Sequence, residues 1–215
     1  MPSRRLEVLT GLLYFLTHVT SVAAVFLYGG STTDPTAPLA GRTSVLLGAA
    51  LEILLALGVT GTGITVFALL RRRSSVVGAG YLALRTLEAS VILVGVVVLL
   101  PIVALPATTA APALSSEIST ALKAVHDWTF LVGPGLVVPF HTALLAGWLW
   151  RTRLAPRWIA ALGVVGGPLV GLANLAVMFG LPQGAAAEIP VFAWEISWAV
   201  WLIATGLRIR AAQPA

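Results

Sequence analysis

Six apolar stretches, each long enough to cross a bilayer and each ended by charge, proline or a short polar loop, dominate what this chain can fold into. They run over about Leu6 to Tyr28, Thr43 to Leu70, Val76 to Leu105, Ser119 to Trp150, Pro156 to Leu181 and Pro190 to Leu207. A hydrocarbon core roughly 30 Å thick is spanned by about 20 residues of helix. A helix also bonds its own backbone, which lipid cannot do for it. The prediction is an all-α polytopic membrane bundle of about six transmembrane helices, with residues 1–215 forming a single transmembrane domain. With 10% of residues charged and 58% hydrophobic, against roughly 25% charged in soluble domains, a water-soluble globule is excluded. Arg4 and Arg5 precede the first stretch and Ser21 to Ala24 are small, as before a cleavage site. The apolar run nevertheless exceeds the roughly 7–15 residues of a cleaved leader, which predicts a retained span.

Ten arginines, at 4, 5, 71, 72, 73, 151, 153, 157, 208 and 210, fall on one side of a six-span arrangement, while Arg42 and Lys123 flank the other. Short loops rich in Arg and Lys stay cytoplasmic, so the expectation is N-in/C-in, in a bacterial cytoplasmic (inner) membrane. The formal net charge of +5 is thereby topological: the basic residues form no continuous patch of the kind nucleic acid requires. The chain has no cysteine, which removes disulfides, thiolate metal sites and thiol nucleophiles. Two loops opposite the basic side, Gly29 to Arg42 and Pro106 to Ile118, are rich in Pro, Thr, Ser and Ala and read as irregular backbone.

Within the spans, Gly163, Gly167 and Gly171 recur every four residues and predict a smooth face for close helix approach. Pro134 and Pro139 each remove a backbone donor inside the fourth span, which predicts a kink there.

A charge at mid-bilayer costs about 2.5–3.5 kcal/mol or more, so the polar groups inside these stretches carry the functional information. They are His18, Glu52, Arg85, Glu88, His126, Asp127, His141, Asn174 and Glu195. Arg85 and Glu88 stand three apart on one helix and are expected to neutralise each other as a structural ion pair, with Tyr81 one turn earlier. Asp127, Phe130, Pro134, Val137 and His141 follow at helical spacing and predict one inward stripe. Trp148, Trp150 and Trp158 suit interfacial anchoring; Trp198 and Trp201 lie deeper. Arg85 can satisfy one of the four carboxyls, and the others are expected to stay protonated or to share protons. No HExxH, repeated His spacing, GxSxG, Walker or GxGxxG pattern is present in a suitable context; no metal or cofactor is implied.

The segments "AVHDWTFLVGPGLVVPFHTALLAGWLWRTRLAPRWIAALGVVGGPLVGLANL", "FAWEISWAVWLIATGL" and "YLALRTLEASVILVG" resemble the bacterial family catalogued as domain of unknown function 4386. The likeness covers most of the chain and implies a multi-helix bacterial membrane protein, with no activity attached.

Three functional readings follow. The first is an intramembrane enzyme acting on a lipid or isoprenoid by proton-initiated, terpene-cyclase-like isomerisation or cyclisation. Asp127, Glu195 and Glu52 would be its catalytic acids, and Trp128, Phe130, Trp194, Trp198, His18, His126 and Asn174 would line the substrate. The second is a non-catalytic scaffold or sensor subunit, and the third a proton-coupled small-molecule transporter. The expected partners are the lipid bilayer and an apolar lipid or isoprenoid ligand, with no nucleic acid; the sequence does not set an oligomeric state.

Overall fold

A computed structural model describes residues 2–29, 41–104, 112–182 and 185–211. Helix α1 covers Pro2–Leu27, α2 Arg42–Leu70 and α3 Ser75–Ala104. The fourth span is built in three pieces: α4 (Pro112–Phe130), a π-helical segment (Leu131–Val137) and α5 (Val138–Thr152). Helix α6 covers Arg157–Met178, and after a 3-10 turn at Ala185–Ala187, α7 covers Ile189–Ala211. Five helical runs are long and apolar enough to cross a membrane, the fourth of them Glu117–Thr152, and Ile189–Thr205 supplies a shorter apolar helix. The chain is an all-α polytopic bundle of about six membrane helices.

One predicted boundary moves. The stretch before Ser119 was expected to be irregular, but α4 begins at Pro112, two turns earlier. Proline is favoured at the first helical position because its missing N–H would be unsatisfied there anyway. The Ala, Leu and Glu that follow then propagate the helix. The rest of that loop, and most of the Gly29 to Arg42 loop, lies outside the described residues.

Each helix packs on its neighbours in the chain, and α1 packs on α7, so the six spans close into a ring. Alternating direction gathers the start of α1, the α2–α3 turn, the α5–α6 turn and the end of α7 at one end of that ring, here called the basic end. At the α5–α6 turn Arg153 adopts a left-handed conformation, φ 56°, and Pro156 opens the next helix. Arg157 lies 5.6 Å from the centre of the Trp150 ring at this end. Leu12, Val19, Phe26, Leu57, Val97 and Leu172 are exposed on the outside of the bundle, as a surface solvated by lipid requires.

The glycine seam of α6 does what its spacing predicts. A Cβ on Gly163 would fall 2.5 Å from the Cβ of Ala146 and 2.6 Å from Nε1 of Trp194, and one on Gly167 would fall 3.1 Å from the carbonyl oxygen of Pro139. Only hydrogen fits there, and α5 and α7 close on α6 through that gap. Toward the basic end the ring is filled by Tyr14, Tyr81, Leu145, Leu149, Ile159, Trp194, Trp198 and Leu202.

The two prolines of the fourth span act differently from a simple kink. Pro134 has no N–H to reach back one α-turn, and the π segment spreads the bonding to i→i+5 across seven residues. Gly133 and Gly135 thin this segment on two sides. A Cβ on Gly133 would stand 3.2 Å from Val91 of α3, and one on Gly135 would stand 3.0 Å from Asn174 of α6.

Candidate functional site

Away from the basic end the ring is not filled. A cavity of about 920 Å³ lies there, bounded by α1, α2, α3, α4, the π segment, α6 and α7. Its walls are aliphatic for much of their area, with Val22 and Val25 from α1, Leu55 and Val59 from α2, Ile92 from α3 and Val177 from α6. It reaches the far end at Leu181, Pro182 and Glu188, where α6 connects to α7. Helix α4 packs on α3 and the π segment; among the described residues no broad contact joins it to α6, α7 or α1. The cavity therefore has its thinnest wall along α4.

The floor is a polar network drawn from five helices. Arg85, fully buried, donates from Nη1 to Glu88 Oε2 at 3.0 Å and from Nε to Thr62 Oγ1 at 2.9 Å. His141 Nε2 sits 3.1 Å from the same Glu88 oxygen. Arg85 Nη1 lies 3.4 Å from the same nitrogen, so Glu88 and Arg85 share this side of the imidazole. The hydroxyls of Tyr14 and Tyr81 bond to each other beside this group, and the Arg85 guanidinium lies 5.4 Å from the Tyr14 ring centre. The expected Arg85/Glu88 ion pair is thus present, inside a larger network.

Across the cavity floor, Glu195 of α7 faces His18 of α1, Oε2 to Nε2, at 3.3 Å. His18 Nδ1 is 2.8 Å from the Tyr14 carbonyl oxygen. A carbonyl cannot donate, so Nδ1 carries a proton and Nε2 is left to share one with Glu195. The other carboxyl oxygen, Glu195 Oε1, is buried with no hydrogen-bond partner; Arg85 Nη1 is 3.7 Å from it.

A second cluster stands nearer the far end. His126 Nε2 is 3.1 Å from both carboxyl oxygens of Glu52, and its Nδ1 is 3.3 Å from Asp127 Oδ1. Lys123 Nζ donates to Asp127 Oδ2 at 2.9 Å. The ring edges of Tyr28 and Phe130 close over His126, with centres 5.3 and 5.2 Å away. Both imidazole nitrogens face carboxyl oxygens, which a doubly protonated ring satisfies completely.

The sequence-predicted residues sort into three places. His18, Asp127, Trp128, Phe130, Asn174 and Glu195 line the cavity, with Arg85 and Glu88 at its floor. Glu52 and His126 are buried behind Asp127, outside the lining. Trp194 and Trp198 also lie outside it, in the packed core near the basic end. The inward stripe of the fourth span is realised: Asp127, Phe130 and Pro134 line the cavity, and Val137 and His141 are buried below it.

Of the acids expected to stay protonated or to share protons, Asp127 needs a correction, because a lysine faces it. Each of the four carboxyls within the spans faces a base: Glu52 faces His126, Glu88 faces Arg85 and His141, Asp127 faces Lys123 and His126, and Glu195 faces His18. Lys123, which the sequence reading sets at the outer flank, is 4% exposed and stands one turn from Asp127. Its spacing of four from Asp127 was the available signal. His141 was missing from the proposed site although it lay on the inward stripe. Tyr14 and Thr62 carry no sequence mark that separates them from ordinary helix residues. Among the described residues no group of three or more His, Asp or Glu is arranged to hold a metal ion.

No curated protein and no solved structure matches the chain. With a ring of apolar helices, a hollow half and a buried charged floor established, the match that does exist spans nearly the whole fold: residues 9–206 fit the family described as Domain of unknown function (DUF4386), and the chain belongs to that family.

Proposed function

We propose that this protein, in a bacterial cytoplasmic membrane with its basic end inward, draws an amphiphilic lipid-like molecule into the cavity and performs acid–base chemistry on it. The observation that carries this reading is the His18–Glu195 pair, a proton-sharing couple set in the wall of a largely aliphatic chamber. A positioned acid–base group contributes typically 10²–10⁴-fold to a proton-transfer step. Asp127, backed by His126 and Glu52, provides a second such group in the same lining. The narrowest form of the reading is isomerisation or cyclisation of an isoprenoid, begun by protonating a double bond and ended by removing a proton elsewhere. Trp128, Phe130 and Phe192 are the aromatic faces that line the cavity for it. Trp194 and Trp198 enter this reading as packing.

The test is product formation from a polyprenyl substrate added to membranes containing the wild type, Glu195→Gln or Asp127→Asn. Conversion by the wild type and a loss of about 100-fold or more in Glu195→Gln is expected. Equal product from all three, or none from any, counts against catalysis. If both substitutions change only the melting temperature, the polar groups serve as a scaffold.

A proton-coupled carrier is the second reading, favoured by one observation: Pro134 and Gly135 of the π segment themselves line the cavity. Broken helices at a site are a transporter device. Proteoliposomes would then show substrate-dependent proton flux that Glu195→Gln abolishes. Orientation is checked by single cysteines at Gly41 and Ser74, which should label from opposite faces.

A further inference from the structure

Among the described residues lining the cavity, Glu195 carries a buried oxygen whose bonding is incomplete. Glu195 Oε1 is buried and without a hydrogen-bond partner, while Oε2 of the same carboxyl faces His18. The nearby Arg85 Nη1, at 3.7 Å, stands beyond the 2.7–3.2 Å range of an N–H···O bond. An unsatisfied buried acceptor costs about 1–3 kcal/mol, so a ligand that supplies a donor at this point gains what the empty chamber lacks.

The charges around that atom restrict what the donor can belong to. An ammonium would donate to Oε1, but it would sit against the Arg85 guanidinium, a like charge in a low-dielectric space, while Glu88 and Asp127 already face Arg85 and Lys123. A phosphate or carboxylate would meet Arg85 together with the carboxyls of Glu88, Asp127, Glu188 and Glu195, all in the same lining. A neutral hydroxyl avoids both conflicts. Its hydrogen goes to Oε1 and its oxygen accepts from Arg85, bridging the gap between the two.

The walls set the remainder of the molecule. From the level of Glu195 and His18 toward the far end the chamber is bordered by Val22, Val25, Val177, Ile189 and Phe192. An apolar chain fits that path, and the thin wall along α4 lets it continue toward lipid.

Resting on the amphiphile reading above, we infer that the cavity takes a lipid alcohol, bound hydroxyl-first, with the hydroxyl between Glu195 and Arg85 and the chain pointing away from the basic end.

The test uses the full chain in lipid nanodiscs and four radiolabelled probes of one skeleton: a twenty-carbon branched unsaturated alcohol, its monophosphate, its primary amine and the parent hydrocarbon. The alcohol should bind at least tenfold tighter than the other three. Glu195→Leu, which removes the acceptor, should erase that preference, and Glu195→Gln, which retains a carbonyl acceptor, should keep most of it. Ser21→Phe places a ring in the chamber one turn beyond His18 and should weaken binding of every probe at least tenfold. Should Glu195→Leu fail to fold, Glu195→Gln and Ser21→Phe carry the test. Tighter binding of the phosphate, the amine or the hydrocarbon overturns the hydroxyl inference and leaves the amphiphile reading standing. Binding of no probe, or binding that Ser21→Phe leaves intact, overturns both.

Discussion

The half of the ring near the basic end and the half beyond it are made by the same six spans, yet their centres are occupied differently. Near the basic end, rings of large volume from α1, α3 and α7 meet in the middle: Tyr14, Tyr81, Trp194 and Trp198, all buried. The Gly163–Gly167 seam lets α5, α6 and α7 tighten around them. In the other half the inward positions carry Ser21, Val22, Val25, Val59 and Asn174, side chains too short to reach across a six-membered ring. Interiors pack to a density that leaves few voids, so a 920 Å³ space sets this half apart from the packed one. The closed half holds the fold, and the hollow half is where the proposed function is placed. Arg85 and its partners mark the boundary.

Four substitutions probe this division, from the largest expected effect on stability to the smallest. Arg85→Met should destabilise most, by about 3–5 kcal/mol, because it leaves Glu88 and the nearby Glu195 without their cation in a buried place. Equilibrium unfolding in mixed detergent reads this, and a change below about 1 kcal/mol would mean the boundary network is not what couples the two halves. Gly163→Val forces a side chain into the Ala146–Trp194 contact and should cost about 1–3 kcal/mol by overpacking. The same scan of Gly147, where a Cβ meets nothing within 4 Å, is the internal control and should move little.

His126→Leu acts in the hollow half. It strips Glu52 of the base that faces both its oxygens, while Asp127 keeps Lys123. A loss of about 1–3 kcal/mol is expected, with increased proteolysis or hydrogen exchange confined to α4. Exchange spread evenly over the ring would contradict the idea that α4 is held separately. Ser21→Phe should leave stability within about 0.5 kcal/mol of the wild type, because the ring enters an existing space and displaces no packed contact. A large destabilisation there would show that the chamber is closed in the free protein.

Much of this was legible before any coordinates. The spans were visible because the bilayer demands length and apolarity together, and the α6 seam because glycine at every fourth residue has few other uses. The pairing of Arg85 with Glu88 followed from helical spacing alone. What spacing could not deliver was contact between helices. His18 with Glu195 joins the first span to the last, and His126 with Glu52 joins the fourth to the second. Such pairs depend on ring order and on the rotation of each helix, neither of which is written in local pattern. Trp194 illustrates the same limit. Its neighbour Glu195 lines the cavity, but successive residues on a helix point about 100° apart, and that single step sends the tryptophan into the packed core.

The π segment brings that angular argument to bear on the whole fourth span. Everything from Pro112 to Phe130 is joined to α5 through seven residues wound at a different pitch, so this stretch sets the phase between the two parts of one rod. Removing one residue from it would rotate α4 by roughly a quarter-turn relative to the rest of the bundle. Asp127 would turn off the cavity, a sequence neighbour would take its place, and the contact between His126 and Glu52 would be broken by the same rotation. The length of Leu131–Val137 therefore governs which chemistry the far half presents, independently of the side chains that the segment carries.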